Sequence, residues 1–266
     1  MQKMRTLRIY YIGTLVLTLA ATILRTLALT LSLDPTSGYF KAGAALPIAL
    51  TALLAFSTAI ILLSPLGLQN RIPTAAPQKN ALHHAGSVLC ALCFLVAFVG
   101  TCIAKKTVVL PALLWPIAFL SLLAAVVYFL AKTPLCPMGT VGEAIFGSLT
   151  LIAIACLIAV TYFDIDTPMN APAKVHLHLT LLALMLCLLY ELREAVGIPI
   201  PRVRVAFTAL AFFLAATVGI SDLIASAARG FVYLSQDLLL TGLALYTATR
   251  AVSDLKALSY TERETL

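Results

Sequence analysis

Apolar residues run along this chain in long unbroken stretches. They show neither the short alternation of strands nor the one-sided stripes of soluble helices. Eight such stretches fall near 9–32, 42–64, 85–104, 108–131, 143–163, 174–193, 205–225 and 231–250. Each approaches the length, about 20 residues, that an α-helix needs to cross the hydrocarbon of a bilayer. Helix is the expected form because lipid offers no partner to an unpaired backbone group, and the alternation of barrel strands over about ten residues is missing. The expectation is an all-α, polytopic membrane helical bundle of about eight transmembrane helices, a single integral membrane domain over 1–266.

Between the stretches the chain is short and polar. The longest connection, 65–84, reads as a cytoplasmic loop rich in Pro, Asn and Gln, and 251–266 reads as a short cytoplasmic tail. The loops after the first and fifth stretches, "SLDPTSGYFKAG" and "YFDIDTPMNAPAKV", share an early aspartate, Thr and Pro, and a closing lysine. "FLVAFVG" at 94–100 also aligns without gaps on "FLAATVG" at 213–219. The order of the matches suggests two four-helix halves, 1–135 and 140–266, related as a parallel repeat about an axis along the membrane normal. Shared composition of apolar helices is the competing explanation.

Composition agrees with lipid as the solvent. Of 266 residues, 61% are hydrophobic and 11% charged, against about 25% charged in soluble domains. The net charge of +7 is read as topology. If the stretches alternate, Lys3, Arg5, Arg8, Arg71, Lys79, Lys132, Arg193, Arg202, Arg204, Arg250, Lys256 and Arg263 share one side, and Lys41, Lys105, Lys106, Lys174 and Arg229 the other. The basic side is cytoplasmic by the positive-inside bias, so both termini are expected there, with Lys105–Lys106 in dissent. No basic stripe interleaved with aromatics occurs, which excludes nucleic acid as a partner. The charged start followed by an apolar run resembles a signal peptide, but the run is too long and no small-residue cleavage site follows, so it reads as an uncleaved first span. Short loops and the absence of eukaryotic targeting signals point to a bacterial inner (plasma) membrane.

Candidate chemistry lies in the few charges inside the stretches. Arg25 falls about 7 Å beyond the centre of the first span at 1.5 Å per residue. An arginine there either snorkels to the headgroups or pairs with a carboxylate. Asp237, beside Gln236, and Asp222 lie at similar depth in the outer half, and His176 and His178 open the sixth span from that side. The expected partner of Arg25 is Asp237, with Asp222 sharing it, which would make the first and eighth helices neighbours. Arg25, Asp222, Gln236, Asp237, His176 and His178 are the candidate intramembrane polar site.

Other groups invite blander readings. Glu143, Glu191 and Glu194 fit interfacial anchors. Pro47, Pro111 and Pro116 fit either kinks or broken-helix binding sites. His83, Cys90 and Cys93 share a helical face, but five of the six cysteines lie within apolar stretches, where cysteine behaves as a small hydrophobe. No metal, cofactor or catalytic set is expected, since no serine-elbow, zinc-hydrolase or phosphate-loop motif appears. Three functions remain. The first is a small secondary transporter or permease for a small molecule or ion, with an outward-side polar site. The second is a non-catalytic membrane sensor, or an integral subunit partnered with other membrane proteins. A membrane enzyme, lacking a nucleophile–base pair, comes last.

Overall fold

The computed structural model describes residues 2–34, 37–67, 81–104, 112–164, 171–229 and 234–264. Arg71, Lys79, Lys105, Lys106 and Pro111, and most of the 65–84 loop, lie outside the described residues. Eight α-helices follow in order: α1 Gln2–Leu27, α2 Ala45–Leu63, α3 Ala81–Ala104, α4 Leu114–Ala131, α5 Thr140–Tyr162, α6 Pro172–Ala195, α7 Pro201–Arg229 and α8 Leu234–Glu264. A π-helical turn, Ala28–Ser32, continues α1. No strand occurs among the described residues, apart from one isolated bridge between Leu33 and Phe40.

α1 through α7 are each long and apolar enough to cross a membrane, which is compatible with a multi-pass membrane protein. α8 falls short of that measure, whereas eight spans were expected. Its 31 residues include Gln236, Asp237, Arg250 and Asp254, which dilute its apolar character. They are tolerated because α8 is enclosed by protein, with Asp237, Leu240, Leu243, Tyr246 and Asp254 all buried. The expected polar tail also proves to be helix. α8 runs through 251–264 without interruption, and Ser253, Asp254 and Ala257 are buried in it.

Six helices, α3 to α8, pack each against the next, and α8 returns to pack along α3, closing a ring. α1 and α2 form a hairpin on the outside of this ring, α1 lying mainly along α7, and α2 against α1 and α7. α6 thus adjoins α7, whereas α2 packs along α7 rather than α3, so this packing lends the two-halves repeat no support. Both termini lie at one end of the bundle, called here the near end, where Tyr11 of α1 reaches Asp254 of α8.

The arrangement of α1 follows from its spacing. Ile9, Ile12, Val16, Leu19 and Ile23 are exposed, three or four residues apart, while Thr14, Thr18, Ala21, Arg25 and Ala28 are buried on the opposite face. Bulky apolar side chains point outward, to what in a bilayer is lipid, and small or polar ones point inward, as expected where close packing rather than hydrophobicity joins helices. The threonine hydroxyls are satisfied within the helix, Thr18 donating to the Thr14 carbonyl at 2.8 Å and Thr22 to that of Thr18 at 2.8 Å.

Close packing recurs where α8 meets its neighbours. A Cβ on Gly219 of α7 would lie 2.9 Å from the Thr241 backbone nitrogen, and one on Gly242 would lie 2.9 Å from Cys93 Cβ in α3. The ring interior is filled by apolar and aromatic side chains, with Phe94 stacked on Phe129 at 5.3 Å and Phe129 edge-on to Tyr246 at 4.9 Å.

Pro47 and Pro116 do not break their helices. They fall in the first turns of α2 and α4, where a proline lacks no helical partner. The run containing Arg25 ends as its polar residues require. Gly38 takes a left-handed φ of 72°, Ser37 Oγ donates to Asp34 Oδ2 at 2.8 Å, and the Asp34 amide donates to the Tyr39 carbonyl at 2.8 Å, turning the chain back on itself.

Candidate functional site: a far-end ion cluster and a near-end network

Arg25 projects from the inward face of α1 into the seam with α6 and α7, at the end of the bundle opposite the termini. It is completely buried, which rules out snorkelling. Its Nη2 donates to both oxygens of Asp222 on α7, at 2.9 and 3.0 Å. Its Nη1 contacts Nδ1 of His176 on α6. The expected partner, Asp237, is not in contact with it. Because α1 packs mainly along α7 and only marginally along α8, the α7 carboxylate takes the arginine. Asp237 instead accepts from Ser226 Oγ of α7 at 3.0 Å and is 5% exposed.

The other two candidates lie elsewhere. His178 sits two residues from His176 and therefore faces another side of α6. Its Nε2 lies 2.8 Å from Thr161 Oγ1 on α5. Gln236 lines a narrow, almost wholly apolar crevice between α5, α6 and α8, together with Leu157, Thr161, Leu177, Leu181, Leu239 and Leu240. Thr161 both bonds His178 and shares the crevice wall with Gln236. The six candidates thus divide into an ion cluster in the seam between the hairpin and the ring, and a polar rim on the ring itself. Among the described residues no three His, Cys, Asp or Glu side chains converge as they would to hold a metal ion.

A second constellation, at the near end, escaped the reading of the sequence. Arg204 of α7 meets Asp254 of α8 at 2.8 Å and Glu194 of α6 at 3.5 Å. Arg250 of α8 contacts Glu194 and approaches Glu191 at 3.9 Å. Tyr246 donates to Glu191 Oε2 at 2.7 Å, and Tyr11 of α1 to Asp254 Oδ2 at 3.3 Å. Glu191 is 4% exposed and Arg204 2%, so Glu191 and its neighbours fasten α6, α7, α8 and α1 together rather than anchoring α6 at an interface. The signal available in the sequence was the i, i+4 spacing of Arg250 and Asp254 on the last helix, set against the acidic end of α6.

Glu143 is held differently. It accepts from Lys132 Nζ at 3.2 Å, both side chains being partly exposed. Burial works against the Lys132 charge, but Tyr128, Glu191 and Glu143 outweigh it and hold the ammonium above the ordinary lysine range. Set against models of protein families, curated proteins and solved structures, the chain matches none.

Proposed function

We propose that the protein is a small secondary transporter or permease of the bacterial plasma membrane. The far-end cluster of Arg25, Asp222, Asp237 and His176 is its outward-side polar site, and both termini are cytoplasmic. One observation carries this reading: ionisable side chains are buried at both ends of a single bundle, with an apolar, aromatic core between them. Ionisable groups held within spans are costly and by default point to an ion or substrate pathway. Closing one end at a time is the requirement of alternating access, and each end here carries its own ion pairing, Arg25 with Asp222 at the far end and the Arg204 and Arg250 network at the near end.

The test starts with ligand-dependent stability, because a bound solute raises the melting temperature by mass action. Purified protein is screened against small solutes and ions, and any stabilising compound is then assayed for flux into liposomes. The expected result is a stabilising solute whose effect is lost in Asp237→Asn and which crosses the membrane only with wild-type protein. Absence of both stabilisation and flux would overturn the reading.

A second reading, a membrane sensor or an integral subunit of a larger complex, is favoured by the complete burial of Arg25. A buried arginine held by a carboxylate can serve as architecture alone. Copurification of a stoichiometric membrane partner, with no flux, is the outcome that selects it.

A further inference from the structure

We propose that Asp237 is the proton-carrying carboxylate of the far-end cluster, so that the ion taken up there is a proton. Its use in coupling rests on the transport reading; its chemistry does not. The argument starts from what each partner can do. A guanidinium only donates hydrogen bonds, and Arg25 gives Nη2 to both oxygens of Asp222, an arrangement that suits an ionised carboxylate. Nη1 faces Nδ1 of His176, which must present a lone pair to it. That imidazole is therefore neutral and cannot take a second proton without losing Arg25.

Asp237 is under no such constraint. Its side-chain partner is the Ser226 hydroxyl at 3.0 Å. A hydroxyl donates to a carboxylate and, once rotated, accepts from a carboxylic acid. Asp237 can gain or lose a proton without stranding a buried group.

The charges around it point the same way. From α7 the facing groups are Asp222 and Ser226 and from α1 Arg25, whose other contact is His176 of α6; beside it on α8 is Gln236. α3 carries no Asp, Glu, Lys or Arg along its length. With both aspartates ionised, the cluster holds two negative charges against one positive. Carbon-rich surroundings penalise that excess, and a single proton on Asp237 removes it. Among the described residues no three His, Cys, Asp or Glu side chains converge there as they would to hold a metal ion.

The cluster is also not closed on itself. Arg25 keeps Nε as a fully buried donor with no acceptor among the described residues. The Asp222 side chain is 21% exposed, which gives the site a side open to the surroundings.

The test is an infrared pH titration of the purified full-length chain in liposomes. The wild type is expected to show a carboxylic-acid carbonyl band that disappears on alkalinisation. The band should be lost in Asp237→Asn, which mimics the neutral acid, and kept in Asp222→Glu and Glu143→Gln. Should Asp237→Asn fail to fold, Asp237→Glu takes its place, with the band retained at a shifted frequency and midpoint. A band that survives in Asp237→Asn, or is unmoved by Asp237→Glu, overturns the proposal. So does a band that responds to replacing sodium by choline at constant pH, which would make the site a sodium site. The Asp237 band without solute flux leaves the proton site standing and removes the transporter. Flux without the band does the reverse.

Discussion

At the scale of single residues, the behaviour of Arg25 follows from the company its helix keeps. It lies on the same face as Thr14, Thr18 and Ala21, and that face is turned to α7. Removing the cation alone, as in Arg25→Leu, leaves the partly buried Asp222 carboxylate without its arginine partner. A broken buried pair costs about 3–5 kcal/mol, so thermal unfolding in detergent should show a large loss of stability. Replacing both partners, Arg25→Leu with Asp222→Leu, should recover most of it, because the uncompensated charge is gone. A double variant no more stable than Arg25→Leu would show that the pair is not an isolated unit. The Lys132–Glu143 pair offers the contrast. It is partly exposed, and Lys132→Ala should change stability by no more than about 1 kcal/mol.

Between elements, the determining contacts are those of small residues with the neighbouring helix. Gly219 lies where α7 crosses α8, and an added Cβ would meet the Thr241 backbone nitrogen at 2.9 Å. A backbone atom cannot swing aside as a side chain can. Gly219→Ala should therefore push the two helices apart, at a cost of about 1–3 kcal/mol, and lower the melting temperature. Gly13→Ala, which meets nothing within 4 Å, should not. The near-end network acts at this scale too. Arg204 bridges α6 and α8 through Glu194 and Asp254, so Arg204→Ala should free the last turns of α8. Faster amide hydrogen exchange over 251–264, with the rest of α8 little changed, is the expected readout; unchanged exchange there would show that packing alone holds the segment.

For the whole molecule, the packing is a ring of α3–α8 with the α1–α2 hairpin on its flank. Both termini share one end, since Tyr11 and Asp254 are in contact. With the basic residues concentrated there, reporter fusions at the N- and C-termini should both report the cytoplasm. Opposite reports would mean that α8 does not cross. The exchangeable proton proposed for Asp237 belongs to this scale as well, because its position is set by three helices rather than by its neighbours in the chain.

The amino-acid sequence by itself determined the helical class and the approximate limits of most of the helices, the C-terminal end of α8 being the exception. Length, apolar content and backbone hydrogen bonding in lipid leave few other forms. It also placed Arg25, Asp222 and Asp237 in one depth range, because rise per residue converts position in a span into depth. Depth is a single coordinate, however, and azimuth is not written so plainly. In a bundle of apolar helices the inward and outward faces are almost equally hydrophobic, so periodicity does not say which helix stands beside which. Only the tertiary structure decided that α1 lies along α7, and with it that Asp222 rather than Asp237 takes the arginine. The near-end network stayed hidden for the same reason. Glu191, Arg204, Arg250 and Asp254 come from three helices and look like ordinary flanking charges until packing buries them together. α8 was judged by its composition, which describes a helix facing lipid. Enclosed by α3, α7 and α1, it meets protein instead, and protein can supply the ion pairs that lipid cannot.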